Sequence, residues 1–144
     1  MYTWVWRLTP HPHLPLFDGP DGVTACTRRD RSNVPLQSLT LLNDPTFVEA
    51  ARSVAARITP GAGTDRERIR KLTRLCLSRD PTIVETRVLT ELADRQRTAF
   101  AECPRDAQLV VGDVPPRAIE PVELATWVVV SRVIMNLDEF ITRE

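Results

Sequence analysis

Four prolines frame this chain: Pro35, Pro45, Pro81 and Pro121 each stand at the start of a stretch whose apolar residues recur every three or four positions. Proline suits the first turn of a helix, where its missing N–H costs nothing and its fixed φ is already helical, and it is excluded from helix interiors and central strands. Asp44 before Pro45 and Asp80 before Pro81 add carboxylates able to accept from the unpaired N–H groups of a first turn. Nothing alternates with period two over a useful length. The expected class is all-α, an irregular proline-rich N-terminal arm followed by about five to six packed helices.

Along the chain, Leu36, Leu39, Leu41 and Leu42 form an apolar stretch bracketed by Gln37 and Asn43. Asn43-Asp44-Pro45 then stops one helix and starts the next, so two helices should meet at a corner. Phe47, Val48, Ala51, Val54, Ala55 and Ile58 give the second helix one apolar face, ended by Thr59-Pro60-Gly61. Thr64 starts another with Glu67 three residues on, the arrangement of a capping box. In that helix Ile69, Leu72, Leu75, Cys76 and Leu77 are expected to face inward, while Arg66, Arg68, Arg70, Lys71 and Arg74 form a solvated face or its margins. Asp80-Pro81 reads as the cap of a longer helix reaching about Glu102, with Ile83, Val84, Val88, Leu89, Leu92 and Phe100 as its apolar set. Residues 103–112 give a short helix with Gly112 past its end, where glycine most easily takes a left-handed turn. After a proline loop at 113–117, the last helix starts near Pro121 and places Leu124, Trp127, Val128, Ile134 and Leu137 on a stripe. Its run Val128-Val129-Val130 favours a strand locally, but the helical spacing outweighs it.

Residues 9–22 carry Pro10, Pro12, Pro15 and Pro20 and read as an extended arm, pinned by Leu14, Leu16 and Phe17. The chain therefore divides into an arm with an arginine turn, 1–31, and a helical domain, 32–144.

The 42% hydrophobic and 26% charged content is that of a globular protein, and 144 residues suffice for one core. Nineteen basic residues balance nineteen acidic ones, which argues against a nucleic-acid binder. Eighteen of the basic residues are arginine, a bias that a GC-rich genome explains as well as forked anion recognition does. Cys26, Cys76 and Cys103 show no paired spacing for zinc or haem, and Cys76, on an apolar stripe, reads as a small buried hydrophobe. No apolar run is long enough to span a membrane, and Met1 to Trp6 does not read as a signal peptide, since Arg7 and prolines follow at once.

Arg28, Arg29, Arg31, Asn33 and Gln37 are the candidate ligand-binding residues. Guanidinium forks bind carboxylate or sulfate in pairs, and the N–H groups of a helix start add a positive end. The competing reading pairs these arginines with Asp18, Asp21, Asp30 or Asp44 and makes Asn33 and Gln37 braces of the corner. His11 and His13, two apart in an extended segment, would point the same way and offer two metal ligands with no obvious third unless Asp18 or Asp21 reaches; the flanking prolines more simply mark a solvent loop. Asn136, Asp138, Glu139 and Glu144 read as a polar tail. No metal site and no catalytic residue is assigned, since no nucleophile elbow, phosphate-binding glycine loop or Ser/His/Asp set stands out.

The run CTRRDRSNVPLQSLTLLNDP (26–45), the ending NLDEFITRE (136–144) and the opening YTWVWR before HPHLPLFDGPDG together resemble the C-terminal part of a planctomycete secreted domain family, domain of unknown function 1553. The likeness is sharpest over 29–52 and weakest over 62–122, with Val34 and Ser38 departing from threonine and alanine. The resemblance implies a periplasmic or secreted location and a binding or scaffolding module, a C-terminal fragment of a larger multidomain protein. Its partners would be upstream domains of the same or a related protein, with Tyr2, Trp4 and Trp6 the edge of a larger core. It implies no cofactor in this chain, while the upstream portion of relatives often resembles a c-type haem domain. The alternative it suggests is part of a polysaccharide-processing enzyme, its arginine corner orienting an anionic polysaccharide.

Overall fold

The computed structural model describes residues 11–20, 25–28, 32, 34–61, 63–112 and 119–142. The helices are α1 (His13–Leu16), α2 (Pro35–Asn43), α3 (Pro45–Ile58), α4 (Asp65–Leu77), α5 (Ile83–Glu102), α6 (Pro104–Val111), α7 (Pro121–Met135) and α8 (Asp138–Ile141), with no strand among the described residues. The class is all-α, as the period-three-and-four pattern requires.

α7 is the central element. It packs against α3, α5 and α6, and Leu124, Ala125, Trp127, Val128, Val130, Ile134 and Met135 are all buried. So are the hydroxyl residues Thr126 and Ser131, and Thr126 Oγ1 donates to the Val122 carbonyl at 2.8 Å. Burial thus extends around most of α7 rather than along one stripe, which is how a β-branched triplet survives in a helix: packing on several sides outweighs its restricted rotamers. Leu137, placed on the α7 stripe by its spacing, lies beyond the helix end at Met135 and is partly exposed.

The helix starts follow local chemistry. Asp44 is at once the last cap of α2 and the first of α3, its Oδ1 accepting from Thr46 N–H at 2.9 Å, so α2 and α3 meet at the expected corner. Thr64 and Glu67 form the reciprocal capping box of α4. α5 departs from expectation. Its cap is Thr82, which exchanges hydrogen bonds with Glu85 at 3.1 and 2.7 Å, and Asp80-Pro81 lies ahead of it because the Asp80 carboxylate is drawn to Arg70 and Arg74.

Two inward assignments also change. In α4 the stripe is Ile69, Leu72, Thr73 and Cys76, and Leu75 is exposed; at 100° per residue it sits about 110° around the helix from that stripe. Thr73 takes an inward place because its hydroxyl is satisfied by the Ile69 carbonyl at 2.9 Å. In α5 only Leu89, Ala93 and Phe100 are buried, while Ile83, Val84 and Val88 are exposed. Arg68, assigned to the solvated face or its margin, lies at that margin: it reaches Asp65 and Glu123 and lies over the Trp127 ring. Cys76 is buried as its position suggests, and burial pushes its thiol up.

The arm contains one helical turn, α1, so residues 13–16 are not extended. Phe17 meets Phe47 of α3 at 5.8 Å between ring centroids, the anchoring expected of it.

Candidate functional site

The α2–α3 corner carries the predicted site, and the arm packs against it. Gln37 is fully buried. Its Nε2 donates to the Leu16 carbonyl at 2.8 Å and to Ser32 Oγ at 3.2 Å, while its Oε1 accepts from Val34 N–H. Three of the four hydrogen bonds a carboxamide can make are thereby used within the protein. Ser32 donates in turn to the Asp18 carboxylate through both N–H and hydroxyl, at 2.7 and 2.8 Å. A chain of polar contacts therefore runs from α2 through Ser32 into the arm.

Arg28 is exposed, and its carbonyl accepts from the Cys26 thiol. Arg29, Arg31 and Asn33 lie outside the described residues, as do Asp21, Asp30, Tyr2, Trp4, Trp6 and Glu144. The structure brings Gln37 to the arm through Leu16 and Ser32.

His11 and His13 do come together, with ring centroids 4.8 Å apart in an edge-on arrangement. The reason is the turn at α1, not an extended strand: His11 Nδ1 accepts from the His13 backbone N–H at 3.3 Å. His13 Nε2 pairs with Asp44 Oδ2 at 3.0 Å. Asp44 is thus shared between the α3 cap and the arm, and the backbone N–H of Thr46, foremost, holds its carboxyl below the usual range. Among the described residues no group of three or more histidine, cysteine or acidic side chains is arranged to hold a metal. Glu139, assigned to the polar tail, is tied to Arg79 at 2.7 Å.

Two apolar surfaces escaped the sequence reading. On α2, Leu36 and Leu39 are each 57% exposed, beside half-covered Val34. Between α4, α5 and the end of α7, a groove of about 220 Å³ is lined chiefly by Leu77, Val84, Val88, Leu89, Ile134 and Leu137. Val84 and Val88 look like core residues by spacing, and nothing local distinguishes them from Leu89, which is buried one residue on.

No helix among the described residues is long and apolar enough to cross a membrane. No curated protein and no solved structure matches the chain. The family model described as PSD1, protein of unknown function (DUF1553), matches residues 1–93, ending inside α5 and short of the central α7. That span is well over half of the 144 residues and includes the arm, the α2–α3 corner and α4: the chain belongs to the DUF1553 family.

Proposed function

We propose that this chain is a binding or scaffolding module of a secreted or periplasmic multidomain protein of the planctomycete type, and that its partner is another domain of the same or a related protein. The observation that carries this reading is the exposed apolar face of α2. Leu36 and Leu39 stand one helical turn apart, each more than half exposed, on an element held rigidly by Gln37 at one end and by Arg132, which donates to the Leu42 carbonyl, at the other. An apolar pair on a fixed helix is suited to packing against a second protein surface. The groove between α4, α5 and α7 adds a second surface of the same character.

A photo-crosslinking residue placed at Leu39, in the producing organism, tests the reading, with the same residue at exposed Arg57 as control. The expected result is one discrete adduct from position 39 and none from 57. Equal, diffuse labelling at both positions would remove the case for a docking face on α2.

A further inference from the structure

Arg66, Arg70 and Arg74 occupy successive turns of α4, at i, i+4 and i+8, so three guanidinium groups share one exposed ridge. Like charges at this spacing repel one another. Among the described residues a single carboxylate answers them. Asp80 takes Arg70 by Nε–Oδ1 and Nη2–Oδ2 contacts of 2.9 and 3.3 Å, and Arg74 by the same two atoms at 2.7 and 3.0 Å. The neighbouring acids are committed elsewhere: Glu67 to the Thr64 N–H, and Glu85 to Arg79 and the Thr82 N–H. Arg66 makes no hydrogen bond or ion pair with any described residue, and Arg70 keeps its Nη1 donors unused by Asp80. Among the described residues the ridge therefore carries three guanidinium groups against one carboxylate.

That ridge borders a cavity. A cleft of about 300 Å³ opens between α4 and the start of α5, lined by Arg66, Arg70, Asp80, Pro81, Ile83 and Thr86. Arg66 and Arg70 form its charged wall, Pro81 and Ile83 its apolar one. Ile83 is 86% exposed, with no protein neighbour covering it. The first turn of the twenty-residue helix α5 also borders the cleft, and the positive end of a helix favours an anion there.

We propose that this cleft is a binding site for a phosphate monoester dianion, its oxygens taken by Arg66 and the free edge of Arg70 and its organic group resting on Pro81 and Ile83. The cleft is lined by two guanidinium groups against the one carboxylate of Asp80, and the double charge of a phosphate monoester is drawn to them more strongly than the single charge of a sulfate ester or carboxylate. The site is separate from the α2 face and does not depend on it.

Isothermal titration of the full chain with phenyl phosphate, phenyl sulfate and inorganic phosphate tests this. Phenyl phosphate is expected to bind saturably and more tightly than phenyl sulfate. Arg66→Gln, at an exposed position without partners among the described residues, should melt as the wild type does and bind phenyl phosphate about tenfold more weakly, the loss of one charge-assisted hydrogen bond. Ile83→Ser should weaken phenyl phosphate while leaving inorganic phosphate unchanged, which separates the apolar wall from the charged one. Absence of saturable binding, equal affinity in Arg66→Gln, or equal affinity for phenyl sulfate and phenyl phosphate would each overturn the assignment.

Discussion

Trp127 Nε1 donates to Glu123 Oε1 at 2.8 Å, one turn apart on α7, and that carboxylate also receives Arg68 at 2.8 Å and Arg97 at 2.9 Å. Arg68 and Arg97 both continue to Asp65 at the first turn of α4, so one carboxylate couples α4, α5 and α7 beside the fully buried indole. Burial works to raise the Glu123 carboxyl, but hydrogen bonds from Arg97 and Trp127 and the nearby arginine charges outweigh it and hold the group below its ordinary range. Glu123→Ala leaves an indole N–H and two guanidinium groups short of an acceptor and should cost about 2–3 kcal/mol. Glu123→Gln, which keeps an acceptor for Trp127, should cost less. Urea denaturation of the two variants checks the order; equal losses would show that the indole bond contributes nothing separate.

Trp127→Ala should cost about 3–5 kcal/mol, the usual range for deleting a large buried ring. The same reasoning applies to the family-matched portion alone. A chain ending at Ala93 lacks α6 and α7, and with them the surface on which α3 and α5 pack. Such a chain is expected to show no cooperative thermal transition by circular dichroism; a sharp one would mean that residues 1–93 close a core without α7.

Gly112 takes a positive φ of 84° just past α6, and a Cβ there would stand 3.0 Å from Cζ and Nη1 of Arg52. Arg52 is held in place because it donates to the carbonyls of Val110 and Leu109 at the helix end. Gly112→Ala should therefore lower stability by about 1–2 kcal/mol, from strained backbone and from displacement of Arg52. In an Arg52→Ala background the cost should shrink toward the backbone part alone, measurable as a smaller fall in Tm.

Ser78 ends α4 with φ 60° and ψ 21°, a left-handed conformation that penalises a Cβ. Ser78→Gly is expected to stabilise by about 0.5–1 kcal/mol, raising Tm without altering the fold. A fall in Tm would indicate that the greater freedom of glycine in the unfolded chain outweighs the relief of strain.

Glu85 is held down to about 2, first by the Arg79 hydrogen bonds, against 4.5 for an ordinary glutamate. A carboxyl depressed in the folded state contributes stability above its unfolded value, and that contribution disappears as pH falls from about 4.5 toward 2. Glu123 acts in the same direction. Stability should thus decline across that acid window, and Glu85→Gln should flatten the decline while lowering stability at neutral pH. Because Glu85 is about one-third exposed, solvent screening keeps the effect small. A variant with an unchanged acid limb would remove Glu85 from the account.

By itself the sequence determined the helical class, the α2–α3 corner at Asp44, the capping box at Thr64 and Glu67, and the place of Gly112, because each depends on residues within a few positions of one another. The same holds for the family, whose model matches the contiguous span 1–93. Tertiary structure alone decided which apolar residues are covered. Leu89 is buried while Val88 is exposed, and Thr73 turns inward while Leu75 turns out, because burial depends on which neighbour arrives and not on hydropathy. The partners of the polar groups were likewise out of reach: Gln37 meets Leu16 twenty-one positions away, Arg97 meets Asp65 thirty-two away and Arg79 meets Glu139 sixty away. Contacts between residues so distant along the chain exist only once the helices have packed around α7.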